Sequence, residues 1–369
     1  MWGYRRRVCL DVARWKNSGW ISANAHDQIL ADIEGQGGSI HLANVLATLA
    51  SVLLGFAAIS FVAAHWNEIG RLWRLVLLFG LIWLGYGAAG FFYSRNRGGF
   101  ADAAILFAVA MFGASIMLIS QMFHIDGHPP DGILLWGVGA LLAGMLLRSN
   151  AALALAMVLA VIWGWLEAEH RHSIYWPFLA AWGAITAGFV WQRWTPGLHM
   201  SGLALSLFVM FSAALLDRHG SYSFYFVTAI GLAAAAVGIV GERLQPGFPA
   251  SSSALWHALV AYGALTAFAG LLALQFAINP DLQTFIILAG ISLTLLIGLI
   301  AWGLSSNNRV ALWLGYIGFS IEILSVYAKT AGTLLNTSVL FLVAAIIVAG
   351  LAVMAWRLHE RETQTPVPS

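Results

Sequence analysis

Charge is what this 369-residue chain has least of: only 9% of its residues are Asp, Glu, Lys or Arg. A water-soluble domain carries about 25%, so too little polar surface exists here to coat a globule in water. The charge that is present leans to neither sign. A formal net charge of +2 excludes the concentrated basic surface that nucleic acid requires. Cys9 is the single cysteine, so there is no internal disulfide and no CxxC metal or redox pair. Nine prolines and 38 glycines are too few and too irregular for a fibrous or low-complexity chain, and 17 tryptophans are incompatible with general disorder. Catalytic signatures are missing as well: there is no glycine-rich phosphate loop, no HExxH pair and no GxSxG elbow. Neither an enzyme nor a bound cofactor is expected.

What fills the chain is hydrocarbon: 60% of residues are hydrophobic, and the mean hydropathy is +0.81. From about residue 43, apolar runs alternate with short polar breaks at the spacing that a hydrocarbon core about 30 Å thick demands. These runs predict twelve spans, at about 43–64, 72–92, 101–123, 132–147, 151–166, 175–191, 197–216, 222–240, 255–277, 282–302, 310–328 and 336–356. Backbone groups in lipid must bond within their own segment, and the runs far exceed a barrel strand, so the spans are helices. The predicted fold is all-α: a polytopic transmembrane bundle over residues 41–357, preceded by a cytoplasmic helical hairpin and linker in 1–40 and followed by a polar tail, 358–369.

The hairpin rests on helical spacing. Val8, Val12 and Trp15 make one stripe, Gly19 breaks it, Ser22 suits an N-cap, and Ala25, Ile29 and Ile33 make a second, which predicts helices over 4–18 and 23–35. Between Arg7 and Asp11 only Val8, Cys9 and Leu10 intervene, too short for a signal-peptide core, so the N-terminus is expected to be retained.

Lys and Arg set the orientation, because positively charged loops stay in the cytoplasm. With twelve spans, one side holds Arg5, Arg6, Arg7, Arg14, Lys16, Arg95, Arg97, Arg148, Arg193, Arg243, Arg309, Arg357 and Arg361; the other holds Arg71, Arg74, Arg171, Arg218 and Lys329. Both termini are placed in the cytoplasm. The outer loops then collect Glu68, Asp126, Asp131, Glu167, Glu169, Asp217 and Asp281 with His65, His124, His128, His170, His172 and His219. Such a face can bind metal or respond to pH; equally, short loops need polar residues, and loops distant in sequence need not meet.

Three groups stand out. Glu322 is the one acidic residue well inside a span, where a carboxylate costs roughly 2.5 to 3.5 kcal/mol unless protonated, paired or hydrated. It is either functional, with Lys329, Arg74 or an ion as partner, or a neutral group bonded to Ser320, Ser325 or a neighbouring helix. Trp66, Asn67, Glu68, Arg74, Gln121 and His124 can form a polar cluster at the outer mouth, or serve as interfacial anchors and a snorkelling arginine. His124, Asp126 and His128 form an HxDxH pattern, a weak metal candidate; a solvated turn around Asp126 and Gly127 is the competing reading, and no bound zinc is expected there.

Three further patterns bear on the architecture. No proline interrupts the middle of a span, which argues against the broken helices of many transporters. A five-residue echo relates Leu147, Ser149, Asn150, Ala154 and Leu155 to Leu304, Ser306, Asn307, Ala311 and Leu312, the trace that a six-plus-six repeat would leave. Gly and Ala in spans one, two, six and eight favour close helix approach.

Trp15, Gly19 and Ile21, the AHWNEI segment from Ala64 to Ile69 followed by Arg74, and the QMFHI segment from Gln121 to Ile125 followed by Trp136 together resemble a bacterial family of predicted membrane proteins, domain of unknown function 2157. The likeness runs from Trp15 to about Arg148. It implies a cytoplasmic N-terminal module on a polytopic domain in the bacterial inner membrane and brings no activity with it. His128 is not a feature of the resemblance. Two function classes follow: a carrier or channel for a small solute or ion, favoured by Glu322 and the polar mouth, and a scaffold or sensor coupling the hairpin to the bilayer, favoured by the unbroken spans. The lipid bilayer is the expected partner, and a protein partner or oligomer is compatible with either.

Overall fold

A computed structural model describes residues 11–12, 14–16, 18–22, 24–29, 42–64, 69–125, 127–216, 223–244, 250–277 and 280–330. Among them the regular structure is helical throughout, with no strand. The long helices are α1 (Leu42–Ala64), α2 (Arg71–Ser94), α3 (Gly98–Phe123), α4 (Pro129–Leu146), α5 (Asn150–Arg171), α6 (Pro177–Trp191), α7 (Thr195–Leu216), α8 (Ser223–Leu244), α9 (Ala250–Ala277), α10 (Leu282–Ser305) and α11 (Arg309–Thr330). Nine of them, α2 to α5 and α7 to α11, are long and apolar enough to cross a membrane, and α1 and α6 contain shorter apolar stretches. The expected count of twelve is thus not reached among the described residues: the first span, α1, contributes only the apolar stretch Val45–Gly55, the sixth, α6, has only 15 residues, and the twelfth, at 336–356, lies outside them. The protein is an all-α, multi-pass membrane protein.

The helix limits show where hydropathy alone misplaced a boundary. Pro129 and Pro130 occupy the first turn of α4, because proline lacks the N–H that a first turn leaves unbonded and already holds a helical φ. Pro177 and Pro196 likewise sit in first turns. The predicted end of the fifth span at 166 is corrected to Arg171: α5 carries Glu167, Glu169, His170 and Arg171 in its last turns and stops at His172, whose φ of 49° is left-handed. Good helix formers extend the segment past its apolar stretch.

Four connections have one design. Ser94 to Gly98, Leu146 to Asn150, Trp191 to Thr195 and Ser305 to Arg309 are each bridged by three residues. The middle one is left-handed every time, at Asn96, Arg148, Arg193 and Asn307. Such a turn bonds the last carbonyls of one helix and reverses the chain into the next. In the second of these turns Ser149 accepts from the Ala152 amide at 3.3 Å, and in the fourth Asn308 does the same for Ala311 at 3.2 Å. The two caps are offset by 159 positions, not the 157 of the echo, so Ser149 opens a helix where Ser306 closes one. The echo therefore does not mark equivalent positions.

The chain divides into two units, Met1–Met111 and Phe112–Ser369. In the first, residues 11–12, 14–16 and 24–29 are helical, Gly19 turns the chain with φ at 75°, and Ser22 Oγ accepts from the Ala25 amide at 3.2 Å. Its α2 presents Leu78, Gly85 and Ala89 to a buried face, while Trp73 and Trp83 are more than 70% exposed, an outward apolar face that only lipid accommodates. In the second unit α9 is the hub, packed against α7, α8, α10 and α11. Around it lie a core of Val227, Leu271, Leu274 and Leu288 and another of Val260, Ala264, Leu299 and Ala311.

Candidate functional site

Glu322 sits on α11, about 12 Å along the axis from its last residue at 1.5 Å per residue. It is fully buried. Its Oε1 accepts a hydrogen bond from Gln275 Nε2 of α9 at 2.9 Å, and the same nitrogen donates to Ser292 Oγ of α10 at 3.1 Å. Gln275 and Ser292 are also wholly inaccessible, so three helices contribute one polar side chain each to a buried cluster. Glu322 Oε2 and Gln275 Oε1 have no hydrogen-bond partner among the described residues. The local partners foreseen for Glu322 are committed elsewhere: Ser320 bonds the Tyr316 carbonyl at 2.9 Å and Ser325 that of Ile321 at 2.8 Å. Lys329 Nζ lies over the Phe276 ring, 5.1 Å from its centroid. The donor to Glu322 thus comes from a neighbouring helix.

The second polar group gathers where α4 begins and α5 ends. His128 precedes Pro129 as the N-cap residue of α4, and its Nδ1 lies 3.5 Å from Glu167 Oε1 and 3.8 Å from Asp131 Oδ1. These ligand-type atoms are all within 4.8 Å of one another. Glu167 is only 3% exposed, and Arg171, one helical turn on, donates from Nε to its Oε2 at 2.8 Å. The guanidinium covers the Tyr175 ring at 5.1 Å, Trp163 meets that ring edge-on at 5.1 Å, and His170 meets the His128 ring edge-on at 4.7 Å. Burial, and then the nearby Glu167 charge, pushes the Tyr175 phenol above its ordinary range.

Of the HxDxH residues, His128 alone enters this group. His124 is exposed in a left-handed turn at the end of α3, and Asp126 lies outside the described residues. Of the outer-mouth residues, Trp66, Asn67 and Glu68 also lie outside them. Arg74 turns its Nε back to the Ile69 carbonyl at 2.7 Å, and Gln121 is exposed on α3. Gln275, Ser292 and the pairing of Glu167 with His128 escaped the sequence reading. One available signal was Gln275 itself, an amide inside an apolar run; another was the i, i+4 order of Glu167 and Arg171.

Two of the cavities among the described residues lie elsewhere in the second unit. The larger, about 370 Å³, runs between α6, α7, α8 and α9; the smaller, about 210 Å³, is lined from α5, α6 and α7. Hydroxyls on the wall of the larger one bond each other, Thr186 to Ser201 at 2.9 Å and Thr266 to Ser206 at 2.8 Å, leaving an apolar lining. Neither cavity is lined by Glu322.

No curated protein and no solved structure matches the chain. Its first part does find a match, over nearly the stretch where the AHWNEI and QMFHI segments lie: residues 13–153 match the family described as predicted membrane protein, DUF2157.

Proposed function

We propose that the protein is a non-enzymatic carrier or channel for a small solute or ion, working at Glu322. The observation that supports this is the buried cluster of Gln275, Ser292 and Glu322 inside an apolar bundle. Packing alone gives no reason for it, since well-packed apolar side chains of similar volume are often as stable as buried charged ones or more so. An ionisable group at this depth is costly and marks an ion or proton pathway more often than a structural need. Glu322 Oε2 and Gln275 Oε1, which have no hydrogen-bond partner among the described residues, offer two acceptors to a proton or a small cation. We place the protein in the bacterial inner membrane with both termini cytoplasmic, which puts the three-residue turns that hold Arg95, Arg97, Arg148 and Arg193 on the cytoplasmic side.

The scaffold or sensor reading draws on a different observation: the described helices run unbroken through their lengths, without the unwound segments around which many secondary carriers bind their cargo. One experiment separates the two. Purified full-length protein is reconstituted into liposomes that enclose a pH-reporting dye, and proton flux is driven by an imposed potassium diffusion potential. Carriage at Glu322 requires protein-dependent flux that Glu322→Gln abolishes while the variant keeps its helical content and elution volume. Absent flux, or equal flux in the variant, removes the reading.

A further inference from the structure

The side chains of His128, Asp131 and Glu167 stand close together at separations longer than a hydrogen bond. Charge-assisted hydrogen bonds between nitrogen and carboxylate run about 2.7 to 2.9 Å, whereas His128 Nδ1 lies 3.5 Å from Glu167 and 3.8 Å from Asp131. Those separations have another natural length scale. Zinc–nitrogen and zinc–oxygen bonds of about 2.0 to 2.2 Å place neighbouring ligand atoms of a tetrahedron about 3.3 to 3.6 Å apart, which includes the 3.5 Å between His128 and Glu167 and is slightly shorter than the 3.8 Å between His128 and Asp131. We propose that His128, Asp131 and Glu167 form a binding site for a divalent transition-metal ion of the zinc kind, at the end of the bundle where α4 starts and α5 stops.

Chemistry and support both fit. One imidazole and two carboxylates suit zinc and its neighbours, whereas calcium and magnesium take six or more oxygen ligands and little nitrogen. Three protein ligands leave the fourth position to water. Glu167, buried at 3% exposure, is held by Arg171 on Oε2, so its Oε1 is the oxygen turned to the shared space. That is the arrangement in which an outer partner fixes a ligand's orientation. Arg171 offsets one of the two carboxylates, which leaves one negative charge for the cation to meet. His170 packs edge-on against His128 and limits rotation of the ligating ring. Pro129 and Pro130 lie between His128 and Asp131 and fix the first turn of α4, so the two ligands on that side are pre-set by backbone.

The site does not depend on Glu322, and its test is separate from the flux measurement. Full-length protein in detergent, stripped with a chelator, is titrated calorimetrically with zinc chloride, and its melting temperature is followed with zinc or with magnesium. The site requires one zinc per chain, a higher melting temperature with zinc and none with magnesium, and at least a ten-fold loss of zinc affinity in both His128→Ala and Asp131→Asn. Asp131 has a side chain 74% exposed, so Asp131→Asn reads ligation without loss of folding. His124→Ala leaves zinc affinity unchanged. No saturable zinc binding, or binding that survives both His128→Ala and Asp131→Asn, overturns the site.

Discussion

Glu322 takes its hydrogen bond from another helix, and this decides how its neighbours respond to mutation. Gln275 Nε2 is the donor that both Glu322 and Ser292 share. Gln275→Leu leaves a buried carboxyl with no donor, which costs about 1 to 3 kcal/mol. Glu322→Gln keeps the shape and retains an acceptor for Gln275, so it costs less than Gln275→Leu. Thermal unfolding of the three proteins in one detergent checks the order, and a Gln275→Leu variant as stable as the parent shows that the bond carries no weight. Here the sequence was half legible. That an acid lay at this depth in a span was plain, because charge in a run of apolar residues is unmistakable; that its partner was an amide 47 positions away, itself shared with the Ser292 hydroxyl, was not, because neither side chain reveals which way it turns. The HxDxH spacing made only a weak metal candidate, and the structure leaves His124 exposed in the turn after α3 while Glu167 of α5 lies beside His128.

Among the helices, α8 and α9 approach most intimately at their glycines. A Cβ built on Gly231 would lie 2.7 Å from the Gly263 carbonyl oxygen, and one on Gly263 would lie 2.6 Å from the Ala235 amide nitrogen. Both obstacles are backbone, which cannot move aside as a side-chain tip can. Gly231→Ala and Gly263→Ala are therefore expected to destabilise by about 1 to 3 kcal/mol through overpacking. Gly290→Ala on α10 meets nothing within 4 Å and removes a helix-interior glycine, so it should leave the melting temperature unchanged or raise it. The opposite signs make the comparison decisive, and a Gly231→Ala protein that melts no lower than the parent contradicts the close contact. Composition pointed to small residues in several spans without saying which ones meet a neighbour. In α2, Gly85 approaches Ala108 of α3, but Gly80, Gly87 and Gly90 face open space.

For the molecule as a whole, the proposed topology follows from the charge distribution. A Gly127→Cys protein, labelled in sealed cells by a membrane-impermeant maleimide, should react from outside at position 127, and native Cys9 should not react. Gly127 is exposed, so failure to label would reflect its side of the membrane rather than burial. Reaction at Cys9 with none at position 127 reverses the orientation.

The sequence by itself determined the solvent this protein folds in, the helical class and nearly every helix in the described part, because each of these depends on local hydropathy and on the bilayer thickness it must match. Helix limits escaped by a few residues wherever prolines or strong helix formers ran past the apolar stretch, as at Pro129 and Arg171. Tertiary structure alone decided which side chains share a space: Gln275, Ser292 and Glu322 in the interior, and His128, Asp131 and Glu167 at one end of the bundle. The physical reason is the rotation of each helix about its own axis. In lipid both faces of a span are apolar, so hydropathy sets how far a helix runs but not which way a single polar residue on it turns, and only packing against neighbours fixes that angle.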